Sequence, residues 1–249
     1  MGKGKYTLDH LMRVRGETEF LGDKIYLRTL GARQDELRMQ HAMAWAREFR
    51  NRLRDKGSEE YQLYIAPLVV SDIEELRQLA IGFERIRLNR ESTQVIVPER
   101  EPRLDEDATL TDAMDVEEEE EKIEEDTVSR RAKWVEEQLE IFVREKLDGY
   151  ESEDGSIVEP EWSEHDLRKH VMDAQVEQLA QKAYVERFND MTLLFGCFAD
   201  SKCRRPYFKS LEEIQECAPI LKAHLLNAYF DLDVFSADLD ELKNLRRGQ

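Results

Sequence analysis

Glycine and proline are scarce in this chain, 11 and 6 of 249 residues. So few turn formers, beside abundant Glu, Leu, Arg and Ala, favour a mostly helical protein. No run of about 18 apolar residues occurs, which argues against a membrane span. The opening residues, MGKGKYTLDHLMRVRGE, lack the apolar core of a secretory signal, and Tyr6 stands where a myristoylation motif takes Ser or Thr. Three cysteines, Cys197, Cys203 and Cys217, cannot all pair with one another and read as reduced thiols in a cytoplasm. Basic residues number 37 against 55 acidic ones, a formal net charge of -18. That balance favours solubility and argues against holding nucleic acid by neutralising phosphates.

Catalytic signatures are missing as well. Gly2 and Gly4 follow no strand and precede no G-K-[ST], so they do not make a phosphate loop. No cysteines form C-x-x-C, and His165 and His170, five apart, fall on different helix faces, so no zinc site is expected. None of the five histidines has Glu three residues before it, which removes the helical di-iron motif. There is no G-x-S-x-G elbow. Cys197 lies among apolar residues, where a thiol is inert, while Cys203 beside Arg204 and Arg205 is where a lowered pKa is conceivable. No catalytic residue, cofactor or metal is assigned.

What is present is periodicity. In EFLGDKIYLRTL, residues 19–30, Ile25, Leu27 and Thr29 share one face, and Gly22-Asp23 suits a tight turn with glycine first. Two or three strands are expected here. A helix over residues 32–55 carries the stripe Met39, Ala42, Ala46, Phe49 and Leu53. Gly57 is a natural stop, and Ser58 caps a short helix at 59–66 that runs into Pro67. Ser71 with Glu74 forms a capping box for a helix to about Asn89, with Ile73, Leu76, Ala80, Phe83 and Ile86 inward. TQVIV, ahead of Pro98, reads as one more short strand.

Composition then shifts. Between Glu99 and Asp126 lie 15 acidic and 3 basic residues, a net of -12. Such a block repels itself and buries little, so residues 99–126 are expected to form an acidic linker whose first part is disordered. Alternatively, Glu117 to Glu121 begin the next helix, where carboxylates suit the N-terminus. That helix runs to about Leu147 with Val128, Ala132, Val135, Leu139 and Phe142 inward, and DGYESEDGSIVEPEW reads as a loop. Ser163 with Asp166 opens a helix carrying Met172, Val176, Leu179 and Ala183, followed by the apolar MTLLFGCFA. Ser210 with Glu213 opens a short helix at 211–217. A break then precedes a second helix from Pro219 with Leu221, Leu225, Ala228 and Leu232 on one face, and Ser236 caps a last helix ending near Leu245. The fold class is therefore mainly α with a small N-terminal β-hairpin (α+β), bundle-like. Three regions are expected: 1–98, the linker 99–126, and a helical region 127–249.

Within SKCRRPYFKS, residues 201–210, four basic side chains interleave with Tyr207 and Phe208. Stacking on bases is one reading. In so acidic a chain, an extended segment whose aromatics plug a core is the favoured one. Trp45, Trp134 and Trp162 read as core for the same reason. Two stretches carry a family resemblance. FLGDKIYLRTLGARQDEL, residues 20–37, resembles the strand pair, I-x-L-R-x-L and following helix that open many tail assembly chaperones of tailed bacteriophages and prophages. Residues 196–233 resemble the downstream pattern of those proteins, the matching positions being Pro206, Phe208, Ser210, Glu213 and Tyr229. The two patches cover about a quarter of the chain, and the acidic stretch and the helices between 127 and 190 lie outside them.

The resemblance implies a non-enzymatic protein that binds the tape measure protein, keeps its long apolar helices soluble in the host cytoplasm until tail tube subunits polymerise around it, and is absent from the finished virion. The tail tube protein is a further possible partner, homo-oligomers are possible, and neither nucleic acid nor membrane is expected. Candidate partner-binding residues are Tyr207, Phe208, Tyr229 and Phe230. The alternatives are an acidic adaptor or DNA mimic, a structural head or tail component, and a helical enzyme without a visible motif.

Overall fold

A computed structural model describes residues 15–96, 110–152 and 155–232. In chain order the elements are β1 (Arg15–Phe20), β2 (Asp23–Arg28), α1 (Ala32–Arg54), α2 (Glu59–Tyr64), α3 (Ala66–Val70), α4 (Ile73–Val95) and α5 (Leu110–Phe142). A π-helical turn (Val143–Asp148), β3 (Tyr150–Glu151), β4 (Ile157–Val158), α6 (Glu164–Gly196), β5 (Cys197–Phe198) and α7 (Leu211–Glu216) follow, and then α8, residues 219–232. The protein is mainly helical with a small N-terminal antiparallel hairpin, as composition and periodicity indicate. Contacts group it into two units, residues 1–52 with 178–249, and residues 53–177. That grouping does not follow the compositional boundaries at 98 and 126, because the acidic stretch and both its flanks fall inside the second unit.

In the first unit, β1 and β2 pair from Phe20 opposite Asp23 to Arg15 opposite Arg28. The turn is Leu21-Gly22, one residue earlier than Gly22-Asp23, with φ of 51° and 89°. Positive φ at both central positions is the type I′ geometry whose twist matches that of the flanking strands. Glycine adopts it freely, whereas the leucine side chain, 93% exposed, gains nothing from packing to offset its strain. Ile25, Leu27 and Thr29 are all buried, as alternation requires. The third strand comes from far along the chain: β5 pairs Cys197 with Leu27 and Phe198 with Tyr26, giving the order β1-β2-β5. Against this sheet lies a core of Ile25, Leu27, Leu193, Cys197, Phe208, Ile214 and Leu225.

The helices of that unit follow their sequence signals closely. On α1, Ala42, Ala46 and Leu53 are buried, but Met39 is 39% exposed and Arg38 is buried in its place. The reason is a set of polar and aromatic partners for Arg38 on α6, described below. Ser210 caps α7 by accepting from the Glu213 amide at 3.4 Å, and the Glu213 carboxylate reaches back to the Lys209 amide at 2.6 Å. The chain breaks at 217–218 and α8 starts on Pro219, whose missing amide costs nothing in a first turn. The Ser236 cap and the helix ending near Leu245 lie outside the described residues.

The second unit departs more from expectation. Pro67 starts α3 rather than ending a helix, sitting in its first turn. Arg168 closes the other end of α3 by donating to the carbonyls of Leu68, Val69 and Ser71 at 3.3, 2.9 and 2.9 Å. Asp72, not Ser71, caps α4, accepting from the Glu74 and Glu75 amides. α4 continues through TQV to Val95, so the short strand expected there does not form, while Val97 and Pro98 lie outside the described residues. Its inner face is Leu76, Ala80, Glu84, Leu88 and Ser92 at a spacing of four, leaving Ile73 and Ile86 46% and 40% exposed. The buried Glu84 is tolerated because Arg87 donates to both its oxygens, at 2.9 and 2.6 Å.

α5 begins at Leu110, so residues 110–126 of the expected linker are helical, as the alternative reading of Glu117 to Glu121 has it; residues 99–109 lie outside the described residues. On α5, Thr127 is buried and Val128 is 57% exposed, while Val135 and Leu139 pack with Leu88. Arg85 grips Glu136 through both carboxylate oxygens, at 2.6 and 3.3 Å. The stretch read as a loop contains the two-residue strands β3 and β4. Gly149, at φ 71°, lies so close to the Val158 carbonyl that a β-carbon would collide with it. Capping at Ser163 occurs as expected: its hydroxyl donates to the Asp166 carboxylate at 2.6 Å, which holds that carboxyl below the ordinary range.

The strained turn generates a prediction. Leu21→Asn puts a residue that tolerates positive φ at an exposed position, so the denaturant midpoint should rise, by about 0.5–1 kcal/mol of stability. An unchanged or lowered midpoint in urea would show that Leu21 bears no strain there.

Candidate functional site

The segment that carries the second patch is held by its backbone. From β5 the chain folds back on itself: the Tyr207 amide donates to the Cys197 carbonyl at 3.0 Å, and the Ala199 amide to the Arg205 carbonyl at 2.9 Å. Asp200 organises the intervening turn, accepting from the Arg205 and Arg204 amides at 2.6 and 3.0 Å. Those bonds, with Arg205 first, hold its carboxyl below the ordinary range. Cys203 closes the turn at φ 50°, with its amide on the Asp200 carbonyl. Lys202, Arg204, Arg205 and Lys209 are exposed around it.

Of the four candidate partner-binding aromatics, two are built into the first unit. Phe208, 4% exposed, is part of the core. Tyr229, 1% exposed, uses its hydroxyl to accept the Leu30 amide at 3.0 Å. Its ring lies where a β-carbon on Gly196 would come within 2.7 Å, which explains glycine at the junction of α6 and β5. Tyr207 is half-buried, edge-on to Phe208 at 4.9 Å. Phe230, 39% exposed, is the one of the four presented to solvent.

A different surface offers more room. α1 and α6 run antiparallel through the first unit, held by Arg38. Its guanidinium donates to Thr192 Oγ1 at 2.9 Å, pairs with Asp35 at 2.5 Å and lies 4.1 Å from the Phe188 ring centre. Further along, Arg187 covers the Trp45 ring at 4.2 Å, with Arg52 also near that ring at 5.0 Å. Between these helices opens a groove of about 670 Å³, lined on α1 by Gln40, Met43, Ala44, Ala46, Arg47 and Arg50. Ala180, Gln181 and Tyr184 of α6 complete it. Ala46 and Ala180 are buried, so small side chains form its floor, while Met43 is 59% exposed. Tyr184 is braced by stacking on Phe188 at 5.9 Å. Sequence reasoning found the buried stripe of α1 but not this neighbouring one. Its signal is the spacing Gln40, Met43, Ala44, Arg47, Arg50, which marks a second helical face.

The groove lining contains no cysteine, serine, threonine or histidine, and the thiols lie elsewhere. Burial pushes the Cys197 thiol up to about 12. Cys203 is also raised, because burial outweighs the nearby Arg28 and Arg15, so the lowered pKa considered from its arginine neighbours is not found. In the second unit His170 is lowered by burial and lies 4.5 Å from the Trp162 ring. Among the described residues, no three His, Cys, Asp or Glu side chains gather into a metal site, and no helix is long and apolar enough to cross a membrane. No family model, curated protein or solved structure matches this chain.

The raised thiol gives a pH prediction. Above the ordinary thiol value of 9.0, Cys197 ionises in the unfolded chain but stays protonated in the fold up to about 12. The unfolded state then binds fewer protons, so stability falls as pH rises through that window, by up to about 1.4 kcal/mol per pH unit. Chemical denaturation at pH 8 and pH 10.5 should show the loss, and a Cys197→Val variant should lose less between the two. Equal losses would mean the thiol is not protected.

Proposed function

We propose that this chain is a non-enzymatic tail assembly chaperone of a tailed phage or prophage, one that binds the tape measure protein and keeps it soluble in the host cytoplasm during tail assembly. The observation that carries the reading is the joining of the two patches on which the resemblance rests. Residues 20–37 and the described part of 196–233 are far apart in sequence, yet they share one sheet through β2 and β5, one core, and the bond from the Leu30 amide to Tyr229. Much of the sequence outside the resemblance, residues 53–177, is the other unit. The matched positions thus lie in one unit, which supports the reading.

The groove between α1 and α6 supplies the mode of binding. A small-residue floor lets a partner helix approach closely, and Met43 adapts to whatever side chain arrives. The acidic exterior keeps a loaded complex soluble. Contact through one groove of this size is reversible, which a carrier displaced by tail tube subunits requires.

Co-expression tests the proposal. A long helical tape measure protein should move from the pellet to the soluble fraction when the two are made together, and should co-purify. Ala44→Trp, which fills the groove from an exposed position, should return at least half of it to the pellet while leaving the chaperone folded by circular dichroism. Recovery of no tail protein from induced cells would overturn the reading.

A further inference from the structure

The helical stretch 59–70 of the second unit is apolar on both sides. Ile65, at φ -110° and ψ -41°, joins α2 to α3 within the helical range, and its amide donates to the Tyr61 carbonyl at 2.9 Å. Helical spacing therefore continues across the junction. Tyr61 and Ile65 are buried and Leu68 is half-buried, at i, i+4 and i+7, which marks the inward face. Leu63, Pro67 and Val70 repeat that spacing on the opposite face, where Leu63 is 61% and Val70 83% exposed. Tyr64, Val69 and Ile73 beside them are exposed as well. Five of the eighteen exposed large hydrophobic side chains among the described residues thus fall within residues 63–73. A helix apolar all round is ordinarily buried all round. Here one side has no cover among the described residues.

The borders of this face are acidic. Residues 59–75 contain five carboxylates, Glu59, Glu60, Asp72, Glu74 and Glu75, and no Lys or Arg. Glu59, four residues before Leu63, heads the outward stripe, and Asp72 and Glu74 flank Ile73 at its other end. Glu59 and Glu75 are exposed and have no ion pair among the described residues. Of the cations nearby, Lys56 lies in the loop before α2 and Arg77 is shared between Glu74 and Asp148. Arg168, which reaches α3 from α6, is occupied by the carbonyls of Leu68, Val69 and Ser71 and by Glu164 at 2.8 Å.

We propose that this face docks an amphipathic helix of another protein, one whose apolar stripe is bordered by Lys or Arg. Leu63 and Val70 are seven residues apart, about 10 Å along the axis at 1.5 Å per residue, which seats about two turns of a partner helix. Rows of side chains on the two helices interdigitate there, and the partner's basic residues meet Glu59 at one end and Asp72 at the other. A second copy of the chain would set the same carboxylate-ended stripe against itself, and an anionic lipid surface would meet like charge. The groove between α1 and α6 takes no part, so the proposal does not rest on the chaperone reading.

The test uses the full chain and two synthetic helical peptides with one Leu/Ala stripe, bordered by Lys in one and by Glu in the other, followed by fluorescence anisotropy at low salt. The Lys peptide should bind roughly tenfold more tightly than the Glu peptide. Leu63→Gln/Val70→Gln, at exposed positions and with no change of charge, should weaken the Lys peptide roughly tenfold by removing two apolar contacts. Glu59→Lys should narrow the preference between the peptides. Glu216→Lys, at an exposed position on α7 of the first unit, changes net charge by the same amount and should leave the preference nearly intact. No binding of the Lys peptide, equal or tighter binding of the Glu peptide, an affinity untouched by the double Gln variant, or equal effects of the two lysine substitutions would each overturn the proposal. So would a dimer in sedimentation velocity that the double Gln variant disperses, since the occupant would then be a second copy. Failure to rescue the tape measure protein would leave this face standing, and loss of the peptide preference would leave the chaperone reading standing.

Discussion

Arg38 sets the geometry on which the candidate site depends. A guanidinium that is 9% exposed must find partners for its donors or bear a large desolvation cost. Its terminal nitrogens and ring face find them on two helices at once, Asp35 one turn back on α1 and Thr192 and Phe188 on α6, while its Nε has no partner among the described residues. These contacts fix where α1 lies along α6, so they also fix which small residues face each other further along. Displaced along α6, α1 would no longer set Ala46 against Ala180, and the floor of the groove would be lost. The same interaction explains why the apolar stripe of α1 excludes Met39: the inward position is taken by a charged residue that has partners on both helices.

A second constraint joins the ends of the sequence. Gly196 ends α6 without a side chain, Tyr229 fills the space that this leaves, and the tyrosine hydroxyl satisfies the Leu30 amide beyond the end of β2. Three segments from opposite ends of the chain are thereby tied at one place. The pairing of β2 with β5 is two residues long, too short to specify the arrangement alone. Side-chain packing by Phe208, Leu225 and Ile214 against Ile25 and Leu27 supplies what the ladder lacks. This is why two of the four aromatic residues singled out from sequence as partner contacts, Phe208 and Tyr229, are internal: a short sheet is held by its core, and large rings fill that core efficiently.

What the sequence shows depends on whether a signal is local. Caps at Ser58, Ser163 and Ser210, the break before Pro219 and the buried face of β2 are decided within a few residues, and each is found where the residues place it. Features set by distant partners are not legible in this way. β5 takes its strand conformation from β2, and Arg38 is buried because of Thr192. Glu84 lies inward because Arg87 covers it, which shifts the inner face of α4 away from Ile73 and Ile86. In the acidic stretch, like charges argue against order, yet helix geometry spaces consecutive carboxylates around the axis, and α5 begins at Leu110. The groove is equally hidden in the sequence, because it is read from a second face of α1 that looks like ordinary surface until α6 lies beside it.

Net charge and local charge do separate work in this molecule. A strong negative balance governs long-range encounter and colloidal behaviour, and it is felt over distances of about 10 Å before salt screens it. At contact, near charges outweigh distant ones because interaction energy falls with separation, so the exposed Arg47 counts for more beside the groove than carboxylates elsewhere on the chain. Pairing within each helix is what permits this arrangement: Glu48 with Arg52 and Glu186 with Lys182 keep negative charge occupied beside the groove. Such exposed pairs are individually weak, since water and salt screen them, so they set the local charge beside the groove more than they stabilise either helix.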